Sequence, residues 1–375
     1  MLILENQIVS PFLVKTALNL SVPIYYKEDQ RTFELGENDK VLTNSESCLS
    51  LLEERHPEHP HTRASHLVKD KAEFRKLLSS IDPDYFFRRV TLDELLKMDR
   101  RNVPYPVVIK PNRGYSSVGV YIVQSKEDWD EAVRGLYSDL VLSKQMYSDS
   151  VVDGEDIIVE EWIDGQEFAF DCYFDRDGNP VVLSVLKRIF SSDQDTSDRI
   201  YYTSSNVVRE IQEEIMEYLH VLNDHLQLRN YPFHMEVRRT KEKIIPIEVN
   251  PLRFAGIGTT DVSEHAFGVQ AAEYYFQDQV PDWEQLVEST DNSIYGFFCA
   301  DVPLHISRNL IEEIQHEKLK EEFHCILEYR NLETANDRTF AVIFFKAESM
   351  DELRYLLNID LEPFIKLKRE KEEVK

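Results

Sequence analysis

The spacing of apolar and polar positions changes period along the chain, and each change marks an element. Leu2 to Glu5 is a short apolar run, and Ser10 to Leu20 then follows helical spacing. Ser10 is placed to cap that helix, with Pro11 at its first position. Val22 to Tyr26 returns to strand character. This strand–helix–strand opening predicts a small parallel α/β unit. It lacks the Gly-x-Gly-x-x-Gly turn that a dinucleotide site needs after its first strand. Residues 55–66 carry four histidines, but Pro57 and Pro60 argue for a turn-rich connector over a metal site. A helix is predicted from Lys69 to Ser79.

Beyond Pro106 the pattern becomes strand-rich. Strands are predicted at Val107–Ile109, Val118–Val123 and Ile157–Val159, with a helix over Lys126–Leu136. Phe168–Phe174 and Val181–Leu186 flank Asp177-Gly178, a strong hairpin signal. Phe190–Ser205 is polar and irregular and reads as a loop. An amphipathic helix over Val207–Leu226 precedes a second hairpin, Phe233–Arg238 and Ile244–Val249, and helix returns over Asp261–Phe276. From Ser293 the order is strand, helix, strand, strand, helix: Ile294–Cys299, Asn309–Lys318, Cys325–Tyr329, Phe340–Phe345 and Met350–Leu357. The expected division is an α/β unit over 1–66, a larger unit over 67–292 with a lid at about 104–160, and an α+β appendage over 293–375, the whole being a mixed α/β fold.

Charge narrows the function classes. The 375 residues carry a formal net charge of -26. So acidic a chain repels phosphate backbones and anionic bilayers, which argues against nucleic acid or a membrane as partner. Cys48, Cys172, Cys299 and Cys325 are far apart, with no Cys-x-x-Cys pair, as expected of thiols in a reducing compartment. With no basic leader at the start and no apolar run of spanning length, the expected location is the cytoplasm.

Four segments could carry chemistry. In Val107-Val108-Ile109-Lys110-Pro111-Asn112-Arg113-Gly114-Tyr115-Ser116-Ser117-Val118-Gly119-Val120 a buried strand ends in lysine and enters a Gly/Ser loop. Small residues let backbone N–H groups approach phosphate oxygens. An ordinary hairpin with Lys110 in solvent fits these residues equally well. Glu160-Glu161-Trp162-Ile163-Asp164-Gly165-Gln166-Glu167 could serve a purine nucleoside, or be a strand end with exposed acids. Glu236 lies on one strand of the second hairpin, and Glu248 and Asn250 lie two apart on the other, so all three can share a sheet face. Two carboxylates and an amide oxygen suit a hard divalent ion; a solvent-facing polar strand is the alternative. Arg253 beside Gly256 and Gly258 could hold a phosphoryl or carboxylate group, or be a surface arginine. Lys187 and Arg188 are further candidates for an anionic substrate.

Taken in this order and at these separations, the segments resemble the ATP-grasp superfamily. The Lys110–Val120 loop and the Glu160–Phe168 segment look like those of D-alanine–D-alanine ligases. Glu248-Val-Asn-Pro-Leu-Arg-Phe-Ala-Gly-Ile-Gly, with Ser263-Glu-His-Ala-Phe-Gly-Val after it, looks more like L-amino-acid ligases. The resemblance covers about Lys69 to Phe276. It implies that Lys71 and Lys110 contact the nucleotide phosphates and that Ser116, Ser117 and Gly119 lie in the loop over them. Glu160, Trp162 and Ile163 would form the adenine hinge, Glu167 would accept from ribose, and Glu236, Glu248 and Asn250 would hold Mg²⁺ or Mn²⁺. Arg253 would steady an acyl phosphate. His234 departs from the pattern, since D-alanine ligases have an arginine two residues before the first metal-binding acid. The implied function is an ATP-dependent ligase joining a small carboxylate to an amine, acting as a homodimer. A small-molecule kinase or a non-catalytic ATP-binding regulator of the same fold is the alternative.

Overall fold

The computed structural model describes residues 1–5, 9–29, 31–114, 119–146, 156–192, 195, 197–303, 305–332 and 338–368. Strands β1 (Leu2–Leu4), β2 (Ile24–Tyr26) and β3 (Leu42–Thr43) form a parallel sheet in the order β2-β1-β3, with helix α1 (Pro11–Asn19) as the first crossover. Ser10 caps α1, its Oγ accepting from the Leu13 N–H at 3.4 Å. A single turn of 3₁₀ helix, Glu46–Cys48, leads into α2 (Leu49–Arg55) and α3 (Pro60–Lys69).

The connector expected over residues 55–66 is therefore helical from Pro60 onward. Proline at a first helical position starts a helix, because the N–H it lacks has no intrahelical partner there. His61 is buried, with its ring 5.4 Å from that of Tyr231 and its Nε2 3.1 Å from the Arg229 carbonyl. Asp70 then ends α3 and caps α4 (Lys71–Leu78), accepting from the Glu73 N–H at 3.0 Å.

A four-stranded antiparallel sheet, ordered β4-β7-β5-β6, is built from β4 (Phe87–Thr91), β5 (Val107–Pro111), β6 (Tyr121–Val123) and β7 (Asp156–Glu161). Helices α5 (Leu92–Lys97) and α6 (Trp129–Met146) belong to the same stretch. The alternation of β5 decides its orientation. Val107 and Ile109 pack with Trp129, Val133 and Leu136, while Val108 and Lys110 point the other way, into a cavity.

The larger sheet has eight strands, ordered β12-β11-β8-β9-β10-β13-β16-β15, all neighbours antiparallel. In chain order its members and helices are β8 (Gln166–Phe174), β9 (Pro180–Arg188), β10 (Ile200–Thr203), α7 (Ser205–Leu226), β11 (Tyr231–Arg239), β12 (Ile244–Pro251), α8 (Val262–Phe267), α9 (Ala271–Gln277), α10 (Trp283–Ser289) and β13 (Ile294–Asp301). Then follow β14 (Ile311–Ile314), α11 (His316–Lys320), β15 (Cys325–Asn331), β16 (Thr339–Ala347), α12 (Met350–Leu357) and β17 (Ile365–Leu367).

Three expectations change here. The loop expected over 190–205 contains β10, whose buried Ile-Tyr-Tyr-Thr pairs on both sides. The helix expected over 261–276 is broken at Gly268, where a φ of +70° ends α8. The helix expected over 309–318 is instead β14, paired with β17, followed by the short α11. Strands β13, β16 and β15 are hydrogen-bonded into the large sheet through β10, so the last stretch extends that sheet and is not a detached body.

Period-two alternation makes the large sheet two-sided. Phe168, Phe170, Phe174, Phe233, Met235 and Val237 enter the main core with α7 residues such as Ile211, Ile215 and Leu219. Each such side chain, fully buried, contributes on the order of 2 kcal/mol. The opposite face of β8 and β11 carries Glu167, Ala169, Asp171, His234, Glu236 and Arg238. That face is the floor of the site.

Candidate active site

A cavity of about 240 Å³ lies between the two sheets. Val108, Lys110 and Ile122 line it from the small sheet, and Arg188, His234, Glu236, Arg238, Glu248 and Asn250 from the large one. Both sets come from alternate strand positions, which is how two sheets can pack their cores and still face polar groups at each other.

Lys110 is held from behind. Its Nζ lies 2.6 Å from Glu160 Oε1, and Arg75 Nε donates to Glu160 Oε2 at 2.7 Å. All three side chains are at most 7% exposed. Burial alone would raise the Glu160 carboxyl, but Arg75 and Lys110 outweigh it and hold the group at about 2. Glu160 lines the cavity beside Trp162 and Ile163, and its carboxylate holds Lys110. Trp162 and Ile163 do line the cavity. The Trp162 ring lies under the Arg238 guanidinium at 4.0 Å, and the Ile163 carbonyl accepts from Arg238 Nη1 at 3.0 Å.

Glu167 was expected to accept from a ribose. It lines the cavity, and its carboxylate accepts from Arg188 Nη1 at 2.7 Å and Arg238 Nε at 3.1 Å. Arg188 also reaches Asp198 at 3.2 Å. Lys187, one residue earlier, points through the other face of the sheet, where Glu210 holds it at 2.9 Å. The pair is split by strand alternation, and only Arg188 faces the cavity. Ser116 and Ser117 lie outside the described residues. Gly119 does not line the cavity: it has φ +71°, and a Cβ there would sit 3.0 Å from Leu136 Cδ1, so it is a turn and packing glycine.

The acidic edge is set by register. Glu236 pairs directly with Glu248 across β11 and β12, and His234 with Asn250. Lys71 Nζ lies 3.5 Å from Glu248 Oε2 and donates to the Gly114 carbonyl at 3.3 Å. Burial lowers the pKa of Lys71, against the pull of Glu248. Lys69 donates to Glu248 Oε1 at 3.3 Å and to Asn250 Oδ1 at 3.4 Å. Burial would raise Glu248, but the nearby lysines hold it at about 2. Two facing carboxylates with an amide oxygen beside them are a donor set for a hard divalent ion, and like charges this close need a cation. Among the described residues no cluster of three His, Cys, Asp or Glu is placed to hold a metal.

His234 lies beneath this edge. It is 5% exposed. Its Nδ1 is 2.9 Å from Asp171 Oδ1 and its Nε2 3.8 Å from Glu236 Oε1. Burial would lower its pKa, but Asp171 and Glu236 carry it up to about 9. Asp171 also accepts the Ala255 N–H at 2.7 Å, tying the edge to the loop after β12.

On that loop Arg253 lines the cavity, held by Glu46 Oε1 at 2.9 Å. Gly256 lines the cavity as well. Gly258 does not: with φ +78° it packs against the guanidinium of Arg330. Sequence reasoning missed Glu46, Arg75, Asp171 and Arg238, and named Lys69 only as a rival to Lys71 for the first nucleotide lysine. Arg238 had a readable signal, since it shares the two-residue period of His234 and Glu236. Glu46 had none, because it comes from a single helical turn 207 residues before its arginine.

Two sheets grip a cavity, with lysines on one side and paired acids on the other. Residues 103–261 match the ATP-grasp domain family. D-alanine–D-alanine ligase from Anaplasma marginale (strain Florida) is 32% identical over 136 residues, 36% of this chain and 36% of that protein. The match thus spans about a third of that curated relative's length. An L-amino acid ligase from Bacillus licheniformis has a similar structure, with a TM-score of 0.66 at 18% identity over 98% of both chains. The biotin carboxylase domain of the Hydrogenobacter thermophilus 2-oxoglutarate carboxylase, solved with MgADP and bicarbonate, gives 0.62 at 14% identity over 98% of this chain and 90% of that one. Among the described residues no helix is long and apolar enough to cross a membrane.

Proposed function

We propose that the protein is an ATP-dependent carboxylate–amine ligase that works through an acyl phosphate. The observation that carries this reading is the convergence of Lys71 and Lys110 with Glu236, Glu248 and Asn250 on one cavity. Lys110, fixed by Glu160, and Lys71 would bind phosphate oxygens of ATP. Trp162 and Ile163 would pack near the base. A divalent ion, Mg²⁺ or Mn²⁺, held by Glu236, Glu248 and Asn250, would neutralise charge on the β- and γ-phosphates.

A carboxylate oxygen of the first substrate attacks the γ-phosphorus and ADP leaves. Arg253 and Arg188 line the cavity where that carboxylate and the transferred group would sit, and positioning with charge stabilisation would supply most of the catalysis. The amine nitrogen of the second substrate then attacks the acyl carbon. Phosphate leaves with the carboxylate oxygen and a proton is released. The relatives' printed activities support amino acids or small carboxylates as substrates.

The test is ADP release with panels of amino acids and carboxylates, with products identified by mass spectrometry. Release that requires an amine and yields an amide supports the ligase. Release driven by an alcohol would replace it with a kinase, and ATP binding without turnover would replace it with a regulator.

A further inference from the structure

The acidic edge already contains a cation of its own. Lys69 Nζ is surrounded by four oxygens from three parts of the chain: Glu46 Oε2, Glu248 Oε1 at 3.3 Å, Asn250 Oδ1 at 3.4 Å and the Gly114 carbonyl at 3.4 Å. An ammonium has three donors and no acceptor, so this all-acceptor shell matches it. The same four oxygens, two of them from carboxylates, would otherwise make a hard-oxygen site for a second divalent ion.

The lysine is anchored on its far side. Glu46 shares its two oxygens between Lys69 and Arg253, and all three side chains are 12% exposed or less. If Lys69 swung away, Glu46 would lose one of two cations at a buried site, which is costly. Lys71 differs. Its contacts at this edge are the Gly114 carbonyl and the second oxygen of Glu248, and it is the lysine assigned above to the nucleotide. Glu236 meets His234 Nε2 at 3.8 Å and keeps 22% of its side chain open to the cavity. Glu236, Glu248 Oε2 and the lone pair of Asn250 Oδ1 that Lys69 does not use are therefore the oxygens left for an added ion once Lys71 turns to a phosphate.

We propose that Lys69 is a resident cation of this site, filling by its ammonium the place of a second divalent ion, so that the protein takes up one such ion with its nucleotide. This rests on the nucleotide reading above. It adds that the last residue of α3 supplies part of the charge facing the phosphates.

The test is equilibrium dialysis of the full chain against Mn²⁺ and the β,γ-imido analogue of ATP, counting both bound species. The wild type should hold one Mn²⁺ per bound analogue. Lys69→Ala, which removes the ammonium and leaves its oxygens, should hold two, and Lys69→Arg should hold one. A merely structural lysine would alter melting temperature without altering this count. Two Mn²⁺ per analogue in the wild type would overturn the proposal, whatever the variants do. So would a count of one in a folded Lys69→Ala. If the analogue does not bind at all, the nucleotide reading itself fails and this proposal falls with it.

Discussion

Two cation–carboxylate–cation triads border the cavity, and they are built differently. Lys110, Glu160 and Arg75 come from β5, β7 and α4, with β5 and β7 directly paired. Lys69, Glu46 and Arg253 come from the end of α3, an isolated helical turn and the loop after β12. The first triad fixes one lysine on a sheet, with two of its members on paired strands. The second joins three remote segments and ties the N-terminal unit to the acidic edge. Both show a cavity whose charges are held in pairs before any ligand arrives, so binding requires exchanging partners more than ordering side chains.

The largest expected effect falls on the first triad. Glu160→Gln leaves two buried cations without a counter-charge, which should cost about 3–5 kcal/mol of stability. Denaturant titration of the folded chain measures it, and a loss no larger than that of a surface acid would show the triad to be loosely held.

Next is Arg253→Met in the second triad. If Arg253 steadies the transferred group, ligase turnover should fall about 100-fold or more, as when a charge-stabilising donor is removed. Melting temperature should also fall, but by less than in Glu160→Gln, because Glu46 keeps Lys69 as a counter-charge. An equal loss of stability in both variants would erase the distinction between a structural triad and a functional one.

The third prediction concerns pH. Glu160 is held at about 2, below its ordinary 4.5. A depressed carboxyl adds stability that is present above the unfolded value and is lost as pH falls from 4.5 toward 2. At 1.36 kcal/mol per pKa unit the contribution is roughly 3 kcal/mol. Acid unfolding of the wild type should be steeper across that window than that of Glu160→Gln. Matching profiles would mean that other carboxylates dominate.

The smallest effect tests strand alternation. Lys187→Met should leave ligase activity within about twofold and cost at most about 1 kcal/mol, since it loses a partly exposed ion pair on the far face. Arg188→Met, one residue on, should sharply reduce turnover. Equal kinetic losses would contradict the split that the sheet imposes.

Much of this arrangement was legible in the sequence because strands repeat every two residues. Glu236, Glu248 and Asn250 were grouped by that rule, and the hairpin register brings them together. The same rule, applied to Lys187-Arg188, would have sent the two to opposite faces. What could not be read were partners supplied by distant segments. Nothing near Glu160 signals that Arg75 will claim its carboxylate, and nothing near Glu46 signals Arg253. The helical start at Pro60 was hidden by proline's usual role as a breaker, and β10 by the polar residues before it.

The account turns on a carboxylate being activated by phosphorylation in this cavity. Turnover with a carboxylate substrate labelled with oxygen-18, followed by mass spectrometry of the released phosphate, tests that directly. The account predicts one labelled oxygen in each phosphate formed with an amide. Phosphate free of label, with ADP still produced, would contradict it.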